Sequence, residues 1–218
     1  MRKNGTMHVL VHLSKGEEVG NALTHGVMSA LLLILLPAVA IRSYLKGGTL
    51  LAAGTSVFII SIFLMTLASC LYHAMVYETK HKYVFRILDH IFIYVAIAGS
   101  YTPIALYVIG GWQGWLILVI QWAMVLFGVL YKSIAQKSVP KLSVLIYLCM
   151  GWTAVFFIPT IIHNATWQFW GLILLGGLMY SIGSWFYMQK SRPYFHLIWH
   201  VFINLAALSH FIAIVFFI

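Results

Sequence analysis

The sequence predicts an all-α integral membrane protein, a bundle of seven transmembrane helices. Two observations carry this. Of 218 residues, 62% are hydrophobic and only 8% are charged, whereas soluble domains carry about a quarter charged residues. The apolar residues also fall into long runs separated by short polar gaps, and a bilayer-crossing helix needs about 20 such residues. The runs do not alternate apolar with polar, as the strands of a membrane β-barrel do.

Residues 1–20 read as a short polar arm on the cytoplasmic side. The arm lacks the apolar core and cleavage site of a signal peptide, so it is expected to be retained. Residues 21–218 then form the transmembrane domain. Its first span, 22–42, is closed by Lys46-Gly47-Gly48, and the second covers 49–75. The third, 84–108, ends before Gly110-Gly111, and the fourth, 113–132, runs into a lysine-bearing gap. The fifth, 141–162, follows Pro140, the sixth covers 166–189, and Arg192-Pro193 separates it from the seventh, 194–217.

Charge sets the expected orientation. The chain has 13 Lys and Arg against 4 Asp and Glu, a net charge of +9. The basic residues are scattered in the gaps, as juxtamembrane anchors are, so nucleic acid is not an expected partner. Eleven of them fall on one side of the predicted bundle, Lys80, Lys82 and Arg86 among them, and only Arg42 and Lys46 on the other. The positive-inside rule then places the N-terminus in the cytoplasm and the C-terminus outside, which requires an odd number of spans. Cys70 and Cys149 both lie in apolar runs, which argues against a disulfide scaffold, and no polar stretch is long enough for a large soluble catalytic domain.

Ionisable residues within spans are costly and are functional candidates by default. Ser69 and His73 share a face near the end of the second span, Asp89 and His90 sit early in the third, and His196 and His200 share a face at the start of the seventh. At 1.5 Å per residue, His73 comes out roughly 3–5 Å inside the cytoplasmic boundary, Asp89 about 8 Å, and His196 and His200 about 5 and 10 Å. Nothing in the apolar pattern requires this agreement in depth. Three imidazoles at one level can hold Zn²⁺ and leave a fourth position for water, the arrangement of a catalytic site. Asp89 can act on that water as a base, and Ser69 can hydrogen-bond a substrate carbonyl or its developing oxyanion. The chemistry would be hydrolysis of an amide or ester. The short loops leave no room for a soluble substrate domain, so a membrane lipid is the expected substrate or ligand.

Simpler readings stand beside this one. Ten His in 218 residues yield roughly half a pair at spacing four by chance, so spacing alone decides nothing. His8, His12, His81 and His163 read as solvated, His90 as a cap or bundle contact, and His210 as an interhelical hydrogen-bond partner. Gly176, Gly177 and Gly183 read as close-packing positions. Trp112, Trp115 and Trp167 read as interfacial residues.

Several segments together resemble the bacterial hemolysin III family, within the progestin and adipoQ receptor superfamily. They are Glu17-Glu18 with Asn21-Ala-Leu-Thr-His25-Gly26, then Ser69-Cys-Leu-Tyr-His73, and Leu88-Asp89-His90 running on to Ala98-Gly99-Ser100-Tyr101-Thr102-Pro103. Met150-Gly151-Trp152, Gly176-Gly177-Leu-Met-Tyr180-Ser-Ile-Gly183 and His196-Leu-Ile-Trp-His200 complete the set. The resemblance covers nearly the whole chain. It implies a seven-helix, multi-pass protein of the bacterial cell membrane, with zinc held by His73, His196 and His200. It also implies that Asp89 bears on the zinc-bound water and that Ser69 belongs to the same motif. Eukaryotic relatives are hormone receptors with proposed ceramidase activity, and some bacterial members are linked to lipid and fluidity homeostasis. The expected function is therefore a zinc-dependent hydrolase of a lipid amide or ester. The alternatives are a fluidity sensor with structural zinc and a pore-forming haemolysin.

Overall fold

The computed structural model describes residues 12–134, 139–189 and 191–218, and helices make up nearly all of them. His8, and the charges Arg2, Lys3, Lys137 and Lys190 counted toward orientation, lie outside the described residues. Among those described, six helical stretches are long and apolar enough to cross a membrane. They are Lys15–Ala74, Lys80–Ile109, Gly111–Ile134, Pro140–Asn164, Trp167–Met188 and Phe195–Phe217.

The first helix, α1 (Lys15–Ala74), absorbs both of the first two expected spans. At 60 residues it would be about 90 Å long if straight. It is not straight. Gly47 (φ −140°, ψ 19°) and Gly48 (φ 67°, ψ −162°) leave helical geometry, and the positive φ at Gly48 suits only a residue without Cβ. The two arms fold back on each other. Gly26 packs against the Cys70 sulfur, and Glu18 meets His73 across 55 residues of chain. α1 begins at Lys15, below the apolar run, because Ser14 and Glu17 form a reciprocal capping box.

α2 (Lys80–Pro103) continues as a π-helical turn over Ile104–Ile109, before Gly110 and Gly111, both at positive φ. α2 lies close against α1, since a Cβ at Gly99 would run into the Ser61 side chain. Small residues at such contacts let helices approach where lipid provides no hydrophobic drive. α3 (Gly111–Ile134) crosses Ala105 at Gly114 and the Tyr94 ring at Gly128.

α4 (Pro140–Gly151) and α5 (Ile158–Asn164) are separated by a 3₁₀ stretch over Trp152–Phe157. The Tyr101 hydroxyl closes that break, donating to Gly151 O and accepting from Ala154 N, both at 2.7 Å. α6 (Trp167–Met188) and α7 (Phe195–Phe217) pack closely at Gly176 under His210 and at Gly183 under Trp199 and Phe202.

α7 runs parallel to the first arm of α1. Leu197 lies on Gly20, Asn204 Nδ2 donates to Thr24 O, and Arg42 Nε donates to Val215 O. The starts of α1, α2 and α7 and the end of α1 therefore meet at one end of the bundle. The exterior is apolar: Phe156 is 83% exposed, Leu45 79% and Ile34 73%. Asn21, Thr55, Thr66 and Ser69 are buried instead. This inside-polar, outside-apolar arrangement fits a lipid solvent.

Candidate metal centre

Each ligand-bearing element reaches the centre for a local reason. His73 occupies the last turn of α1, brought back by the Gly47–Gly48 bend. His196 and His200 sit on one face of the first turns of α7. The start of α7 is fixed by Tyr194, a non-glycine residue at φ 61°, whose N–H donates to Glu17 Oε1 at 2.5 Å. α1 thus delivers His73 from one end and anchors the entry of α7 from the other.

The structure gathers the three expected histidines. One ring nitrogen from each of His73, His196 and His200 lies within 4.8 Å of the others. His73 Nε2 faces His196 Nε2 at 3.2 Å. All three are buried, at 4%, 8% and 2% exposure. This group can hold a metal ion. Ser69 is buried, and its Oγ has no hydrogen-bond partner among the described residues. Ser69 and Asp89 line the same cavity as the three imidazoles.

That cavity, about 380 Å³, extends from the histidines and is lined by α2, α4, α5, α6 and α7. Its walls beyond the cluster are mostly apolar, with Ile97, Ile104, Ile161 and Ile173 among them. Arg86 and Tyr72 border it beside Asp89. The volume falls within the range of small-molecule sites, which are concave, apolar and marked by a few polar groups.

Other histidines behave as the simpler readings expected. His90 Nδ1 donates to Arg86 O at 2.6 Å, and its Nε2 lies 3.3 Å from the Tyr187 hydroxyl. His210 Nε2 donates to Ile173 O on α6. His12, His81 and His163 are exposed. Trp112, Trp115 and Trp167 are exposed in the first turns of their helices.

Three residues at the centre were missed as site residues. His25, on the first arm of α1, stacks on His200. Glu18 Oε2 accepts from His73 Nδ1 at 2.5 Å. Lys82, counted as a solvated anchor, is fully buried, and its Nζ donates to Glu18 Oε1 at 2.8 Å and to Met75 O at 3.0 Å. In the turn between α1 and α2, burial and the nearby Glu18 carboxylate push the Tyr77 hydroxyl up to about 12, so it stays protonated. It accepts from Leu13 N.

Fold and cluster together define a multi-pass membrane protein with a buried three-histidine centre able to hold a metal ion. Residues 13–211 match the family described as Haemolysin-III related, and the chain belongs to that family. It is similar to Hemolysin-3 of Bacillus cereus, 34% identical over 202 residues, which span 93% of this chain and 92% of that protein. The Hemolysin-3 homolog of Bacillus subtilis is 34% identical over 201 residues, 92% of this chain and 94% of the relative. A human protein, monocyte to macrophage differentiation factor, is 28% identical over 159 residues, 68% of this chain and 63% of its own length.

Proposed function

We propose that this protein is a zinc-dependent membrane hydrolase acting on a lipid amide or ester. The observation that carries the reading is the placement of His73, His196 and His200, with Asp89 and Ser69, on the wall of one largely apolar cavity. The donor set fits zinc: three buried imidazoles match the three-protein-ligand pattern of catalytic sites. A zinc ion bound there would supply Lewis acidity and bring the pKa of a coordinated water toward 7.

The chain's own residues supply the rest. The Asp89 carboxylate takes a proton from the attacking water and returns it to the leaving group. The Ser69 hydroxyl donates to the substrate carbonyl oxygen as negative charge develops on it. The apolar walls hold a hydrocarbon chain and keep bulk water from the reacting carbonyl. Counting the two arms of α1 separately gives seven spans. With the basic residues counted by side, we read the histidine end as cytoplasmic, so the lipid would enter from that leaflet.

The test is elemental analysis of the purified protein, followed by incubation of the loaded protein with ceramides and other lipid amides or esters. Bound zinc with turnover supports the reading. Zinc without turnover of any lipid would overturn the hydrolase and favour a sensor with structural zinc. Absence of zinc would overturn the metal centre.

A further inference from the structure

We propose that Glu18 is a positioning residue for the metal, fixing which nitrogen of His73 faces the centre and how strongly it donates. This rests on the metal reading above, and the geometry of α1 carries it further. Glu18 Oε2 lies 2.5 Å from His73 Nδ1. Lys82 Nζ donates to the other oxygen, Oε1, at 2.8 Å. An ammonium group at that distance keeps the carboxylate ionised, and an ionised carboxylate only accepts hydrogen bonds. The proton of the His73 contact must therefore sit on Nδ1. In the neutral ring the lone pair is then on Nε2, the atom that faces His196.

That is the tautomer a metal ligand needs. A carboxylate behind a histidine both orients the ring and raises the basicity of its donor nitrogen. Lys82 makes the device self-contained. Its Nζ also donates to Met75 O, past the end of α1, and lies over the Tyr77 ring, 3.9 Å from the centroid. Lys82 is thus held from three sides. It balances the Glu18 charge without requiring a proton on both nitrogens of His73. The chain has only four carboxylates, and committing one to the back of a histidine is hard to account for in a purely apolar bundle.

The competing account is mechanical, since Glu18 and His73 lie near the two ends of the α1 hairpin and could simply tie it shut. The experiment separates the two. The full chain in detergent is titrated with zinc against a chelator of known affinity, for the unmodified protein and for Glu18→Gln, Glu18→Asp and Ser14→Ala. Cobalt(II) spectra are recorded for each.

Glu18→Gln keeps an acceptor and loses the charge. It should weaken zinc affinity about 10–100-fold and shift the cobalt bands. Glu18→Asp, which restores the charge on a shorter stem, should recover part of the affinity. Ser14→Ala removes the hydroxyl that caps α1, and should lower the melting temperature while leaving affinity and spectrum unchanged. Unchanged affinity and spectrum in metal-loaded Glu18→Gln would overturn the positioning role while leaving the metal centre standing. Should Glu18→Gln not fold, Glu18→Asp decides in the same way. If the unmodified chain binds no zinc, the metal centre fails and the positioning role fails with it.

Discussion

His25 lies flat against His200, with ring centroids 3.8 Å apart and planes inclined by 14°. The stack backs a candidate ligand on α7 with a ring from the first arm of α1, about two turns above Glu18, which touches His73. One face of α1 therefore supports two of the three imidazoles. If His25 is a stacking partner and not a ligand, His25→Phe should retain bound zinc, because the aromatic face remains. Zinc lost in His25→Phe, measured by elemental analysis, would make His25 a ligand.

His200→Ala should reduce bound zinc to background, because two histidines remain where a stable site uses three or four protein ligands. His73→Ala and His196→Ala should do the same. Full occupancy in any one of them, read by mass spectrometry of the metal, would remove that residue from the centre.

Asp89→Asn preserves shape and removes the base. Zinc content should be unchanged, and lipid hydrolysis should fall by about 10²–10⁴-fold. An unaffected turnover number would assign Asp89 to packing.

Ser69→Ala should lower the turnover number by about 10²–10³-fold with zinc retained. A higher KM at constant turnover would instead mean that Ser69 helps hold the substrate without stabilising the transition state.

Tyr101→Phe removes the hydroxyl that bridges Gly151 O and Ala154 N across the break after α4. Two partly buried backbone groups then lose a partner, at a cost of at most about 1–3 kcal/mol each unless water replaces the hydroxyl. A detergent-solubilised thermal melt should show the loss, and an unchanged melting temperature would mean that water takes the place of the hydroxyl.

Much of the candidate centre was legible in the sequence. The spacing of His196 and His200, and the common depth of His73, depend only on the rise of an α-helix and on where the polar gaps fall. Boundaries of the later helices were readable for the same reason: Pro140, Gly110-Gly111 and Arg192-Pro193 interrupt apolar runs that otherwise continue.

Glu18 was not read as a site residue because hydropathy marks where lipid begins, not where a helix begins. His25 lay inside the expected first span, 22–42, at a depth matching that of His73, so the sequence did carry a signal for it. α1 extends below its apolar run, so Glu18 read as part of a solvated arm. A local signal was available in Ser14-Lys15-Gly16-Glu17, the capping-box pattern that announces a helix start. Extending the helix to that cap puts Glu18 and His25 on one face, seven residues apart. Lys82 had no such signal. A lysine in a gap reads as an anchor, and only the fold shows that Glu18 comes within reach of it.

The Gly47–Gly48 bend has a consequence for how the chain tolerates insertions. A flexible loop absorbs an added residue, but two glycines joining two helical arms leave no slack to take it up. One residue inserted in the first arm between His25 and Gly47 would turn everything before it by about 100° and shift it by about 1.5 Å relative to the second arm. Glu18 would swing off His73, and His25 off His200, in a single step. The phase of the first arm is thereby locked to that of the second, and length variation should concentrate in the gaps between later helices.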